Sequence, residues 1–311
     1  MRTSVRNSVF FATVALAFLI GIGASALLAV FLTVPSAGQA LASLPDHPWW
    51  FVYTDAQRAS DAQRASDAPG AGGTALTSPS PLWSIAAAIA AAALALPAAF
   101  RARALTGRAP SPIAAFLVVF FLSLCLEGLR VGAAYLVATD RSIPAAVVLT
   151  RAVYGVRFLG ILALLAAGLY CMEMKYAKHF LLMLGALAVA FAMAASIPID
   201  RAVFTAQLAY KLGDEQGVWF VSLVLGVLVL AAGAGAALVR HDRRFLALAG
   251  GSALLLAGRE MLYFSTRLAL LACGLALLAG GTILWLRGLA VILEGGREKA
   301  QVGRRRREAE R

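Results

Sequence analysis

Eight apolar stretches dominate this sequence and limit the folds that the chain can adopt. Each is long enough, or nearly so, to cross a bilayer core, which takes about 20 helical residues. Because open strands would leave backbone groups unpaired in lipid, the stretches are predicted to be helices. They lie at 9–33, 82–100, 112–137, 144–170, 179–197, 217–239, 245–264 and 268–293. The sequence therefore predicts an all-α polytopic membrane helix bundle of about eight transmembrane helices.

The composition agrees with this class and excludes others. Hydrophobic residues make up 61% of the chain, against about 45–50% in soluble domains. The net charge of +12 comes mainly from arginines around the apolar stretches, so we predict no nucleic-acid partner. The preference for Arg over Lys, with abundant Ala and Gly, indicates GC-rich coding DNA, and we predict a bacterial protein of the cytoplasmic (inner) membrane. Cys125, Cys171 and Cys273 are predicted to fill the core, and no Cys/His spacing indicates a metal site or cofactor.

The distribution of basic residues predicts the orientation. With the N-terminus inside, 18 Lys and Arg residues fall on the cytoplasmic side and 6 on the outer side, as the positive-inside rule requires. Both termini are thus predicted to be cytoplasmic. Trp83 and Trp219 would lie at the outer interface and Trp285 near the inner one, as aromatic belts do.

The N-terminal region has two interpretations. The apolar run at 9–33 followed by Ala-Leu-Ala at 40–42 resembles a signal peptide, but the run is longer than the usual 7–15 residues. An uncleaved first helix is favoured; if it is cleaved, seven helices remain and the N-terminus lies outside.

Four segments follow from these patterns. We predict a first transmembrane helix or signal anchor at 1–33 and an outer loop at 34–81, in which the hexamer DAQRAS begins at Asp55 and again at Asp61. Such low-complexity sequence is predicted to be disordered. A seven-helix membrane bundle at 82–293 and a basic cytoplasmic tail at 294–311 complete the chain.

The outer segment PIDRAVFTAQLAYKLGDEQG, from Pro198, is predicted to form a short amphipathic surface helix. Asp200 would cap it, and Phe204, Leu208 and Leu212 would form part of its apolar face. It would either cover the bundle or act as a lid over an outward-facing pocket.

Charged residues inside the predicted helices are the main functional signal. At 1.5 Å per residue they lie at compatible depths in three helices, near the midplane or in the outer half of the membrane. A charge at this depth costs about 2.5 kcal/mol or more, so these side chains should face the bundle interior and pair. Two tyrosines lie at helical spacing from them. The predicted cluster consists of Glu127, Arg130, Arg151, Arg157, Arg259 and Glu260, with Tyr154 and Tyr263 beside them.

The cluster is predicted to carry two more positive than negative charges. Arg151 and Arg157 are six residues apart and diverge by about 120° on a helix, so one would reach outward while the other faces in. A guanidinium fork suits carboxylate or phosphate oxygens.

These charges admit several functions. Glu–Arg pairing that fixes helix register, an anion site, and a proton or ion relay all remain open. Our leading hypothesis is binding, and transport, of an anionic small molecule or lipid head group, with membrane lipids as further partners. The alternatives are a sensor or accessory subunit that acts on a membrane protein partner, and a membrane-embedded enzyme acting on lipid. No nucleophile–base pair is recognisable, so an enzyme is not favoured.

Overall fold

The fold is a helix bundle with one small β-hairpin. The computed structural model describes residues 81–106, 111–139, 142–172, 179–242 and 244–309. In chain order the elements are α1 (Pro81–Thr106), α2 (Pro112–Leu126), α3 (Leu129–Ala138), α4 (Ile143–Cys171), α5 (His179–Ser196), β1 (Ile199–Phe204), β2 (Tyr210–Leu212), α6 (Glu215–Arg240), α7 (Arg244–Tyr263) and α8 (Leu268–Ala309).

The predicted class is confirmed: this is an all-α membrane helix bundle. Among the described residues, six helical stretches are long and apolar enough to cross a membrane: α1, α2 with α3, α4, α6, α7 and the part of α8 up to Leu293. The helix predicted at 179–197 is shorter, because its apolar part is Leu181–Ser196, about 24 Å against a bilayer core of about 30 Å. The predicted span at 9–33 and the DAQRAS repeat lie outside the described residues.

Local sequence signals fix where several helices begin. Ser142 accepts a hydrogen bond from the backbone nitrogen of Ala145 at the start of α4. Asp214 accepts one from Gly217 at 2.8 Å at the start of α6. Each side chain satisfies a backbone donor that the first helical turn leaves free.

Helix α4 occupies the centre of the bundle. It packs against α2, α3, α5, α6 and α7, while α1 closes the other side by packing against α2, α7 and α8. The large exposed apolar side chains are concentrated on α5 and α6, as expected for helices that face lipid. Polar side chains on the inner face of α4 therefore meet those of several neighbours.

Helices α7 and α8 form the most extensive helix pair, and glycines line their contact. A Cβ atom at Gly258 would lie 2.6 Å from the backbone nitrogen of Leu278, and one at Gly281 would lie 2.8 Å from the backbone oxygen of Gly251. The two backbones therefore touch, as small residues permit in membranes. Gly258 directly precedes Arg259, so this contact also holds the backbone next to the charged side chain of Arg259.

The predicted surface helix after Pro198 is wrong, because the segment forms an antiparallel β-hairpin of β1 and β2. The β-branched and aromatic residues of the segment favour strands, and cross-strand bonds satisfy its backbone. Its tip is buried rather than lying on a surface: Leu208 is fully buried with φ 65°. Asp200 caps no helix; the cap in this region is Asp214.

Two smaller predictions are also corrected. Trp285 does not face outward as a member of an aromatic belt would: its side chain is buried between helices and its indole N–H donates to the hydroxyl of Ser252 at 2.8 Å. Cys125 and Cys171 are buried as predicted, but Cys273 is exposed on α8.

Candidate functional site

The charged cluster begins at an irregular turn between α2 and α3. Helical hydrogen bonds tighten there, since the backbone nitrogens of Gly128, Arg130 and Val131 each donate to the residue three positions earlier. In such a 3₁₀ turn, side chains three apart lie on the same side. Glu127 and Arg130 are three apart and are both buried. The turn therefore directs both side chains towards the helices packed on this face.

Glu127 is the bridge of the cluster. Its Oε1 accepts from Nε and lies against Nη2 of Arg259, each at 2.5 Å. Its Oε2 lies 3.8 Å from Nη1 of Arg157. One carboxylate thus contacts guanidinium groups from α4 and α7, which neutralises part of their charge where water is scarce.

Arg157 also pairs with the second carboxylate. It is the middle residue of α4, and its Nη2 donates to Oε2 of Glu260 at 2.6 Å. The Arg157 side chain is 9% exposed and that of Glu260 is 35% exposed. This pair is therefore the more accessible end of the network.

Arg259 is held by backbone as well as by charge. Its Nη1 donates to the carbonyl of Arg157 at 2.8 Å, and its guanidinium lies 5.9 Å from the ring centre of Phe120. Gly160 makes room for it and for the hydroxyl of Ser123: a Cβ there would clash with Oγ of Ser123 and lie 2.8 Å from Nη1 of Arg259. The absence of a side chain at Gly160 is thus a condition for this arrangement.

Among the described residues, the hydrogen-bond partners of Arg130 are all carbonyl oxygens. Nη1 donates to Tyr263 at 2.8 Å, and Nη2 donates to Ser84 at 3.0 Å and to Leu262 at 3.4 Å. Its Nε has no hydrogen-bond acceptor among the residues that the structure describes. The residue is 2% exposed, and no carboxylate of the described part of the chain contacts its buried charge.

The two tyrosines lie within the cluster. The guanidinium carbon of Arg157 lies 3.6 Å from the ring centre of Tyr263, and that of Arg130 lies 5.0 Å from it. The hydroxyl of Tyr263 donates to that of Tyr154 at 3.0 Å. Cation–π contact of this kind partly stabilises a desolvated charge.

A small cavity adjoins these groups. Its volume is about 10 Å³, the space of roughly one water molecule. The charged residues that line it are Glu127, Arg130 and Arg259. Two guanidiniums face one carboxylate, so the lining carries one net positive charge.

The β-hairpin shares an apolar cluster with one residue of the cavity wall. Phe204, Leu208 and Tyr210 pack in one apolar cluster with residues of α1, α3 and α4 that include Ala88. Ala88 also lines the cavity. The hairpin and the cavity wall are therefore linked through this apolar cluster.

Of the eight predicted site residues, the structure brings seven together and leaves one outside. Arg151 is exposed, and no described hydrogen bond or ion pair joins it to the others. Of these two arginines, Arg157 thus faces the bundle interior and Arg151 faces outward. Without Arg151 the cluster holds three arginines and two glutamates, so its surplus is one positive charge rather than two.

Sequence reasoning missed several parts of the site. Gly160 lies one helical turn from Arg157, which would have placed it on the same face of α4. The carbonyl of Ser84 and the ring of Phe120 gave no signal, because any residue has a carbonyl and apolar rings are frequent here. Within the described residues no group of three or more His, Cys, Asp or Glu side chains is placed to hold a metal.

Comparisons with protein families, with curated proteins and with solved structures gave no match for this chain.

Proposed function

We propose that this membrane protein binds an anion at the cluster of Arg130, Arg157, Arg259, Glu127 and Glu260, and that the bound species is an anionic solute or the anionic part of a lipid. The observation that carries the proposal is the surplus charge on Arg130. It is buried, has no carboxylate in contact among the residues that the structure describes, and lines a small cavity.

The energetic argument follows from the cost of burial. An unneutralised charge in a membrane interior costs several kcal/mol. Three carbonyl oxygens and the Tyr263 ring offset part of this cost. If the cluster served only to fix helix register, equal numbers of arginines and glutamates would serve better. An anion that pairs with Arg130 balances the charge.

The predicted orientation indicates the side of the membrane from which the ligand would enter. With both termini cytoplasmic, the β-hairpin end of the bundle faces outward, and the ligand would enter from the outer side. Transport would require that the buried hairpin move away from α1, α3 and α4, because its apolar side chains share one cluster with residues of these helices.

The test is native mass spectrometry of the full chain released from lipid particles. We expect wild type to retain an anionic species of fixed mass, and Arg130→Gln to lose it. Arg151→Gln is the matched control, because it removes the same charge from an exposed position of the bundle.

Thermal unfolding of each variant in the same detergent separates loss of ligand from loss of fold. The proposal fails if wild type carries no anion and gains no thermal stability from any added halide, carboxylate, phosphate or anionic lipid. It also fails if both variants lose the ligand equally.

A further inference from the structure

The charged cluster lies near one boundary of the membrane. Arg130 donates to the carbonyl of Ser84 near the start of α1 and to that of Tyr263, the last residue of α7. Helix α7 has 20 residues, a length of about 30 Å, which equals the thickness of the bilayer core. Its end therefore lies close to water, and Glu260 is about 4.5 Å along the axis from that end. In the predicted orientation this is the outer boundary.

Of the two carboxylates in the cluster, Glu260 is the one better placed to exchange a proton with water. Its side chain is 35% exposed, against 9% for that of Glu127. Oε1 of Glu127 is engaged by both Nε and Nη2 of Arg259. The partner of Glu260 in the described part of the chain is Arg157. A proton from the outer solution would thus reach Glu260 first.

Arg157 lies between these two carboxylates. Its Nη2 donates to Oε2 of Glu260 at 2.6 Å. Its Nη1 lies 3.8 Å from Oε2 of Glu127 and has no hydrogen-bond acceptor among the described residues. The terminal nitrogens of Arg130 donate to carbonyls, and Arg259 is held by Glu127 and by backbone. Arg157 is therefore the arginine that needs to leave only one partner, Glu260, to bind a ligand.

An anion at Arg157 would meet the carboxylate of Glu260 at the same guanidinium. Two negative groups at one position repel each other, and protonation of one of them removes this repulsion. A proton on Glu260 would raise the surplus of the cluster from one positive charge to two. Arg130 adds to the attraction, because its guanidinium and that of Arg157 lie against the same ring, that of Tyr263.

The other ionisable groups around Glu260 are few. Arg259 and Tyr263 lie near it on α7, and Tyr263 is hydrogen-bonded to Tyr154 of α4. Asp214 and Glu215 are at the start of α6, at the end of the α6–α7 pair where α7 finishes. The remaining ionisable residues of α7 and of the helices packed against it are exposed or lie towards the other end of the bundle: Arg101, Arg103, Arg151, Arg240, Arg244, Cys273 and Arg287. In the described part of the chain, Glu260 makes its ion pair with Arg157 alone.

We infer that an oxyanion binds Arg157 together with one proton on Glu260. The proton comes from the outer solution, protonated Glu260 releases Arg157, and the oxygens of a carboxylate, sulfate or phosphate group accept from its N–H fork instead. The inference rests on the proposed function and specifies what controls binding. Because the two events are linked, the proton and the anion each favour the binding of the other.

The experiment measures binding of radioactive sulfate to the full chain in nanodiscs of zwitterionic lipid, from neutral to mildly acidic pH, where sulfate keeps its charge. We expect the affinity to increase by up to about tenfold for each pH unit of acidification, as one linked proton requires. Glu260→Gln should bind sulfate at every pH as tightly as wild type does at the lowest pH, because its amide is uncharged. The control Glu215→Gln removes a carboxylate at the same end of the bundle and should keep the pH dependence of wild type.

The same pH series is run with an anionic lipid. Nanodiscs that contain phosphatidylglycerol, whose phosphodiester also keeps its charge, take the place of sulfate, and native mass spectrometry counts the lipid that the chain retains. Acid-dependent retention of this lipid would identify a head group as the oxyanion, and acid-dependent binding of sulfate would identify a solute. Either result supports the inference.

Calorimetry provides a second measurement if Glu260→Gln does not fold. The heats of binding to wild type in two buffers of different ionisation enthalpy give the number of protons taken up. We expect about one proton for each bound anion at neutral pH. Binding without proton uptake would overturn the inference.

The outcomes separate the two proposals. If an anion binds wild type equally well at every pH, or if Glu260→Gln keeps the pH dependence of wild type, the inference is wrong and the anion-binding function stands. If neither sulfate nor phosphatidylglycerol binds at any pH, the inference is wrong, and if halides and carboxylates fail to bind as well, both proposals fail.

Discussion

Replacing Glu127 with Gln tests whether this carboxylate is the centre of the charge network. The Glu127 side chain is 9% exposed and contacts Arg259 at 2.5 Å and Arg157 at 3.8 Å. Glutamine keeps the shape and removes the charge, so three arginines would face one glutamate. Breaking a buried ion pair costs about 3–5 kcal/mol. We expect Glu127→Gln to lower the free energy of unfolding by about this amount.

The matched control is Glu260→Gln. The Glu260 side chain is 35% exposed and contacts Arg157 alone among the described arginines. Partly solvated ion pairs contribute little, so we expect a loss of about 1 kcal/mol or less. The difference between the two losses of stability reports the effect of burial, since both variants replace a carboxylate by the same amide within one cluster.

Reversible unfolding in mixed micelles of increasing SDS content provides the free energies. The double variant Glu127→Gln/Arg259→Gln removes both charges of one pair and should be more stable than Glu127→Gln alone, with a coupling of about 0.5–3 kcal/mol. Equal losses for Glu127→Gln and Glu260→Gln, or no coupling in the double variant, would refute the central role of Glu127.

Two further substitutions test the packing around the site in the same unfolding assay. Gly160→Ala would place a methyl group 2.8 Å from Nη1 of Arg259 and should lower the free energy of unfolding by about 1–3 kcal/mol. The control Gly250→Ala adds a methyl group in open space and should change stability by about 0.5 kcal/mol or less. Equal effects would show that the site does not require the absence of a side chain at Gly160. Trp285→Phe removes the indole hydrogen bond to Ser252 and should cost about 1–2 kcal/mol. An unchanged free energy of unfolding would show that this hydrogen bond does not contribute to stability.

The lengths of the apolar stretches predicted most helices of the bundle, because a chain segment buried in lipid must satisfy its backbone hydrogen bonds internally, as a helix does. The same reasoning placed Glu127, Arg157 and Arg259 inside, since the cost of facing lipid applies wherever a charge lies deep. Both predictions depend on the free energy of transfer into lipid, which is large and can be assigned to each residue without knowing its neighbours.

The errors arose where tertiary contacts decide the outcome. The apolar spacing of the segment after Pro198 fitted an amphipathic helix, yet strand pairing and burial of Leu208 against α1, α3 and α4 prevailed. Trp285 was placed by its distance along the chain, whereas its partner Ser252 lies on another helix. The choice between Arg151 and Arg157 needed the rotation of α4, which spacing alone leaves undetermined.

Helix α8 runs without interruption from Leu268 to Ala309, about 63 Å in total. Only the part up to Leu293 is apolar enough to span a membrane, so about 24 Å of the same helix continues beyond it. A continuous helix behaves as a lever: a tilt of about 10° at its membrane end would displace its far end by about 4 Å over that length. Because α8 is packed backbone to backbone against the helix that carries Arg259, a small rearrangement at the buried charges would be amplified on the other side of the membrane.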